Sequence, residues 1–160
     1  MSENRGPPVK GSSPGRGLSM ELARKAIETA KEALQYLMVG PPIIRYGPAG
    51  EVHVDVPLMY HGYAIDKVHF DPLANTPSPK GRPARAWNVR VSAEAVRSTM
   101  ESIVSELRVL DAAEFREPEN AWAIPIAWRN YLIAHIKVSY DGSEIIPDYS
   151  LTEEVRRYAL

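Results

Sequence analysis

The fold is decided by residues 51–70, which read EVHVDVPLMYHGYAIDKVHF. Apolar residues occupy every second position from Val52 to Leu58, with polar or charged residues between most of them. This period of two is typical of a half-buried β-strand, because successive side chains point to opposite faces of the sheet. His61-Gly62 interrupts the pattern, and residues 63–70 then return antiparallel to the first strand. The stretch therefore predicts a β-hairpin.

The register of this hairpin depends on the length of its loop. A loop of residues 61–62 alone would set Val54 opposite His69, and core residues would then share a face with solvent residues. A loop of odd length, or a bulge, sets Val54 opposite Phe70 instead. We predict the odd loop. The outer face of the hairpin would then carry four polar residues, His53, Asp55, Lys67 and His69.

A second hairpin is predicted over residues 121–140. Residues 56–63, VPLMYHGY, align with residues 124–131, IPIAWRNY. After a slip of two residues, 64–71 align with 134–141. Each hairpin follows an amphipathic helix, so one interpretation is an internal duplication of a helix-then-hairpin unit. The other interpretation is that two unrelated hairpins have similar sequences.

Amphipathic helices precede both hairpins, and a third lies near the end of the chain. Ser19 is the predicted N-cap of the first, whose apolar stripe continues to Met38. Ser92 begins the second, with a stripe that reaches Leu110. Ser150 begins a short third helix in a capping box. We therefore predict an α+β fold of antiparallel meanders, with the two longer helices on one face and a short C-terminal helix.

Composition favours a single domain and gives no overall sign of a nucleic-acid or membrane partner. The 160 residues can bury a core without staples, and they include no cysteine. The 19 basic and 20 acidic residues balance, so any argument from charge must be local. Thirteen arginines outnumber six lysines and Gln35 is the only glutamine, a composition seen in thermophile proteins. No apolar run approaches the roughly 20 residues of a membrane helix, and we expect a cytoplasmic protein.

Two segments are rich in proline, glycine and basic residues. Residues 1–17 have almost nothing to bury, which predicts a disordered basic tail ahead of a single domain over residues 18–160. Residues 71–86 form a second basic segment, predicted to be a long flexible loop. Flexible basic extensions suit contact with a phosphate backbone. The candidate nucleic-acid-binding residues in the two segments are Lys10, Arg16, Lys80, Arg82 and Arg85.

Within this loop, the sequence from Pro79 to Pro83, PKGRP, resembles the core of an AT-hook. That resemblance implies that Gly-Arg-Pro lies extended in a narrow minor groove, where the arginine reads A·T-rich DNA. Ser78 and Ala84 stand where such hooks usually carry further basic residues. The resemblance covers five residues.

Histidine and aspartate residues offer candidates of a different kind. His53 and Asp55 would share a strand, with His69 on the neighbouring strand and His135 much later in the chain. A His-x-Asp pair with a distant histidine occurs in facial-triad iron sites, and a carboxylate beside a histidine suits acid–base catalysis. The eight-stranded barrel that holds such iron sites does not fit this chain, and the same residues could simply face water. We predict neither a bound metal nor a cofactor.

Aromatic residues alternate with basic ones along the predicted strands. On an exposed sheet face they would stack bases and hold phosphates, whereas on a buried face they would pack in the core. The residues concerned are Trp87, Trp122, Trp128, Tyr131 and Tyr140, interleaved with Arg85, Arg129 and Lys137.

Three hypotheses for function follow from these features. The chain has no phosphate-binding loop, nucleophile elbow, zinc-protease motif or dinucleotide fingerprint, which disfavours nucleotide hydrolysis and dinucleotide redox chemistry. The leading hypothesis is therefore a non-enzymatic binding or accessory protein that engages nucleic acid or a nucleoprotein. The second is a protein–protein module or homodimer that uses an uncovered sheet face or edge. The third is a small enzyme that uses the histidine and aspartate residues.

Overall fold

The computed structural model describes residues 19–82 and 84–158. Lys10, Arg16 and the predicted tail lie outside the described residues. The helices of the described part are α1 (Met20–Leu34), α2 (Ala93–Val104) and α3 (Tyr149–Tyr158). Its strands are β1 (Leu37–Val39), β2 (Ile43–Tyr46), β3 (Glu51–Tyr60), β4 (Tyr63–Asp71), β5 (Thr76–Pro77), β6 (Ala86–Trp87), β7 (Arg108–Val109), β8 (Glu114–Arg116), β9 (Ala121–Trp128) and β10 (Tyr131–Ser139). None of the described helices combines the length and apolar character needed to cross a membrane.

The strands form two antiparallel sheets, which confirms the predicted α+β class. In the first sheet, β3 pairs with β1, β2, β4 and β6, and β5 extends the edge beyond β4. In the second sheet, β9 pairs with β7, β8 and β10. Each half of the chain thus runs from a helix through two short strands to a long hairpin. In both halves the short strands pair with the first strand of that hairpin.

The two hairpins share a register, and this register corrects the predicted alignment. Val56 pairs with Val68 in the first hairpin, and Ile124 pairs with Ile136 in the second. Because Val56 aligns with Ile124, Val68 is equivalent to Ile136 and not to Val138. The slip of two residues is therefore wrong, and the identities that it produced carry no structural meaning.

Both hairpins contain a bulge at the same place. The predicted pairing of Val54 with Phe70 is confirmed, but the turn is the tight two-residue one, with positive φ at His61 and Gly62. The extra residue is Ile65 in β4, so a bulge and not an odd loop corrects the register. Ile133 is the equivalent extra residue in β10. Both isoleucines are buried, because each bulge turns an additional side chain into the core.

The longer helices are exchanged between the halves. α1 contacts β7, β9 and β10 of the second sheet, and α2 contacts β1 and β5 of the first. Thr29 on α1 donates a hydrogen bond to the carbonyl oxygen of Gly142 (2.5 Å), and Arg97 on α2 donates one to that of Val39 (3.1 Å). Ala30, Met100 and residues from both sheets belong to one continuous core. The sequence predicted that the two longer helices lie together on one face. In the structure each of them instead packs on a different sheet.

The N-terminal ends of α1 and α2 are as predicted, whereas their C-terminal ends and the cap of α3 differ for local reasons. Ser19 and Ser92 do cap α1 and α2 with their side-chain oxygens. Both helices end earlier than their apolar stripes, however, because Leu37 and Met38 lie in β1, and Leu107 and Leu110 flank β7. The cap of α3 is Asp148, whose Oδ1 accepts a hydrogen bond from the N–H of Leu151 (2.9 Å), and not Ser150. α3 buries Leu151 and Val155 against a small satellite cluster on the first sheet.

Candidate functional site

The predicted histidine–aspartate group is only partly assembled. Asp55 on β3 and His69 on β4 are register partners, and Asp55 Oδ1 lies 2.6 Å from His69 Nδ1. His53 is exposed, and His135 lies in the other sheet, so neither completes a set of ligands. Within residues 19–82 and 84–158, no three histidine and acidic side chains gather in a way that could hold a metal ion.

Asp55 instead neutralises a group of cations beneath α3. It is 6% exposed, and its Oδ2 lies 3.6 Å from the Arg45 guanidinium and 3.7 Å from the Lys67 ammonium. Burial alone would raise the pKa of Asp55, but the hydrogen bond from His69 and the charges of Lys67, His69 and Arg45 outweigh it and lower that pKa. Arg45 also pairs with Glu154 of α3. The group therefore joins α3 electrostatically to the outer face of the first sheet.

The basic loop is attached to the domain at two points. The N–H of Ser78 donates to the carbonyl oxygen of His69 (2.7 Å), and that of Lys80 donates to the carbonyl oxygen of Leu132 (2.7 Å). The Lys80 ammonium also donates to Asp66 Oδ2 at 2.8 Å. Lys80 is thus held by an internal carboxylate and is not presented to a phosphate.

The conformation of this loop also contradicts the AT-hook interpretation. Residues 79–82 form a turn, closed by a hydrogen bond from the N–H of Arg82 to the carbonyl oxygen of Pro79 (3.0 Å), with a positive φ at Gly81. An AT-hook requires an extended chain at this point. Pro83 lies outside the described residues.

The five aromatic residues that alternate with basic ones differ in burial: two lie in the core, whereas Trp87 and Tyr131 are exposed. Trp122 and Trp128 are each 3% exposed and belong to the core. Their indole N–H groups donate to the carbonyl oxygen of Tyr140 (2.8 Å) and to a carboxylate oxygen of Glu106 (2.9 Å). Arg129 stacks over Trp128 from outside, 4.3 Å from the ring centroid. Trp87 differs from both, because half of its surface is exposed.

Trp87 borders a shallow groove of about 330 Å³ on the first sheet. Strand β6 positions it, since Trp87 pairs with Glu51 in the ladder to β3. Arg85 and His53 line the same groove, and both are exposed. Glu51 is the acidic residue of the lining, and its Oε1 accepts a hydrogen bond from the N–H of Ala49 (3.0 Å).

The segment that carries Trp87 also contains three arginines whose side chains have no partner among the described residues. Arg82, Arg85 and Arg90 are exposed, and within the described part of the chain none of them forms an ion pair or a side-chain hydrogen bond. By contrast, Arg45, Arg97 and other arginines have carboxylate or carbonyl partners. Arg82 and Arg85 are therefore the predicted basic residues that the structure leaves available. The groove and the segment from Arg82 to Arg90 are called the Trp87 groove below.

A second and larger cleft, of about 410 Å³, lies where the two sheets meet along β4 and β10. We call it the seam cleft. Its charged and titratable lining residues are Asp66, Lys80, Arg116, Glu119, His135, Lys137, Asp148 and Tyr149. Among the residues that the sequence analysis named it contains Lys80, His135 and Lys137, whereas Asp66 and Arg116 were not predicted, because their proximity depends on how the two halves pack.

Comparisons with known proteins were negative. No family model matches the chain, and neither the curated proteins nor the solved structures searched include one with significant similarity.

Proposed function

We propose that this protein binds single-stranded nucleic acid through the Trp87 groove. The observation that carries the proposal is a half-exposed indole on a segment of the described chain with three arginines that have no carboxylate partner. An exposed large aromatic side chain is costly in water, and base stacking would remove its surface from solvent. Arginines without carboxylate partners keep their donors available for phosphate oxygens.

The geometry favours an unpaired base over a duplex. A base that stacks on Trp87 must present its ring face, which only an unstacked nucleotide can do. The segment on which a minor-groove contact would depend forms a turn at residues 79–82, and its Lys80 is paired with Asp66. The fold therefore does not support recognition of a duplex by an extended hook. Phosphate contacts from Arg82 and Arg85 would suit single-stranded and double-stranded nucleic acid equally.

The backbone that carries the Trp87 indole is held in place by hydrogen bonds. The backbone of Trp87 is held in the ladder to β3, and the N–H of Asn88 donates to the carbonyl oxygen of Gly50 (2.8 Å). The indole is therefore presented from a fixed strand, so little backbone entropy is lost on binding. His53 on β3 adds a second ring and donor at the same groove.

The test is fluorescence anisotropy with labelled oligodeoxythymidine and oligouridine of about 12 nucleotides, a length within the site sizes of small single-strand binders. Binding should weaken steeply between about 50 and 200 mM salt. Trp87→Leu should weaken binding roughly tenfold or more, since stacking on one aromatic ring is worth about 1–3 kcal/mol. Arg85→Gln should reduce the salt slope by about 0.7, the value for one phosphate contact with a single strand.

The matched control is Arg24→Gln, which removes an exposed and unpaired arginine of the described chain from α1 on the other sheet. This variant should bind as the wild type does. Absence of oligonucleotide binding at low salt would refute the proposal. So would equal affinities of the wild type and Trp87→Leu, or preference for a duplex of the same sequence.

A further inference from the structure

The seam cleft contains a histidine whose ring has no partner. The imidazole of His135 forms no hydrogen bond with any described residue, and its Nδ1 is buried. The backbone of the same residue is fully engaged, because its N–H donates to Asp66 Oδ2 at 2.8 Å. A buried polar atom without a partner costs about 1–3 kcal/mol, so the ring is held in the cleft by packing and not by hydrogen bonds.

The residues around His135 determine the protonation state of its imidazole ring. Burial, reinforced by the positive charges of Lys80 and Arg116, lowers the pKa of His135 below its ordinary value of 6.5, and Asp66 and Glu114 offset only part of this effect. The ring is therefore neutral at pH 7 and carries one hydrogen. We assign that hydrogen to Nε2, because a buried N–H without an acceptor is rarer than a buried acceptor without a donor. Because Nδ1 is enclosed, the accessible side of the ring, which lines the cleft, carries this Nε2–H donor.

Arg116 provides the second donor group of the cleft. Its only ion-pair contact among described residues is with Glu114, two positions away, whose Oε1 accepts from Nε and Nη2 at a long 3.4 Å. The other cations of the lining are occupied: Lys80 donates to Asp66 at 2.8 Å, and Lys137 pairs with Glu119. The carboxylates are occupied as well, since Asp66 accepts three hydrogen bonds and Asp148 caps α3. What remains for a ligand is the guanidinium of Arg116, held only by its long contact with Glu114, and the imidazole N–H of His135, which has no acceptor among the described residues.

We propose that the seam cleft binds a small organic oxyanion, with its anionic group held by Arg116 and His135. The cleft of about 410 Å³ is larger than a bare oxyanion needs, and its size is typical of small-molecule sites. Ile65, Ile146 and Tyr149 form an apolar wall on which the body of the ligand rests. Phosphate and carboxylate share the required chemistry, because both accept two parallel hydrogen bonds from a guanidinium.

The test uses phenyl phosphate and benzoate as separate probes, with inorganic phosphate as the headgroup alone and sodium chloride at equal ionic strength as the blank. Binding is followed by NMR through the ring and backbone signals of His135, so that anions bound at the Trp87 groove do not contribute. We expect a saturable shift of the His135 signals, and tighter binding of phenyl phosphate than of inorganic phosphate if the headgroup is a phosphate. Tighter binding of benzoate would identify a carboxylate instead.

Arg116→Gln should weaken binding of the preferred probe roughly 10- to 100-fold, the effect of losing hydrogen bonds to a charged group. Arg24→Gln should leave it unchanged, and both variants should keep the wild-type midpoint of thermal unfolding. If no probe shifts His135 saturably, the proposal is wrong. Equal affinities of Arg116→Gln and the wild type would overturn it too. Oligonucleotide binding should be unaffected by Arg116→Gln, so this inference and the proposed function can fail separately.

Discussion

The carboxylate of Asp66 accepts a hydrogen bond from the backbone N–H of His135 at 2.8 Å. A side chain of β4 thus satisfies a backbone group of β10 that a neighbouring strand would otherwise bind. The N–H of Lys80 adds a second such bond, to the carbonyl oxygen of Leu132. On the C-terminal side, the N–H of Ile146 donates to the carbonyl oxygen of Lys137 (2.8 Å). The N–H of Ser139 also donates to the carbonyl oxygen of Glu144 (2.8 Å). The edge of the second sheet is therefore covered by hydrogen bonds from three segments, which disfavours this edge as a site for adding another strand.

Replacing Asp66 should destabilise the domain. Asp66→Ala leaves the N–H of His135 and the ammonium of Lys80 without their acceptor, and each is partly buried. We expect the free energy of unfolding to fall by about 1–3 kcal/mol, measured by urea denaturation. Glu32→Ala, at an exposed position on α1, should change it little. Equal stability of the two variants would show that the two halves are not joined through Asp66.

Stability should fall in acid through Asp55. The pKa of this carboxyl is lowered in the folded protein, so the unfolded chain binds a proton first as the pH decreases. The contribution is complete above the ordinary value of 3.8 and is lost as the pH falls through the folded value. Unfolding free energies measured from pH 7 to pH 2 should therefore decline more steeply in the wild type than in Asp55→Asn.

The same variant should also lose stability at neutral pH. An uncharged amide at this position would leave Arg45 and Lys67 without their shared counter-charge and would weaken the hydrogen bond to His69, at a cost of roughly 1–3 kcal/mol. The control is Asp111→Asn, which breaks the exposed pair with Lys31 (2.7 Å) and should have little effect. A larger effect of Asp111→Asn than of Asp55→Asn would contradict the role assigned to Asp55.

A pair of glycine substitutions isolates the contact between α1 and the second hairpin. Gly142 has a φ of +78°, and a Cβ there would lie 3.0 Å from Lys25 Cβ and 3.1 Å from the nitrogen of Ala26. Gly62 has a φ of +87°, with open space where its Cβ would be. Backbone strain at a positive φ should lower the free energy of unfolding of both alanine variants by about 1 kcal/mol. In Gly142→Ala the new Cβ should also displace α1, and this should lower the free energy of unfolding by about 1–3 kcal/mol more. Thermal and urea unfolding of both variants measure the difference, and equal losses would mean that α1 moves freely at this contact.

Strand β3 was predictable because its side chains alternate, whereas the ends of the helices were not predictable. Val52 to Leu58 alternate strictly enough to specify both the strand and, through burial, its register. Leu37 and Leu107, in contrast, continue a helical stripe and also suit a buried position outside the helix, which they occupy. Local sequence cannot choose between the two, because the choice depends on pairing with β3 and packing against the core.

The candidate sites were predictable only where local sequence determines exposure. Trp122 and Trp128 lie in an almost wholly apolar strand, AWAIPIAW, which is typical of burial on both faces, whereas Trp87 lies between Arg85 and Arg90. That contrast in local sequence could have distinguished the two buried tryptophans from the exposed one. The meeting of Arg116 with His135 has no local signal, since it follows from the packing of β4 against β10 and from the path of the chain before β9.

The exchange of α1 and α2 between the two sheets has a consequence for synthesis of the chain. When residues 20–71 have left the ribosome, α1 has no sheet to cover, because its partners β7, β9 and β10 are still to be made. The first sheet likewise lacks α2 on its inner face until residues 93–104 emerge. Neither half can therefore close its core during translation, and the nascent N-terminal half exposes apolar surface of the kind that chaperones bind. Folding of the released chain should accordingly be a single cooperative event governed by long-range contacts.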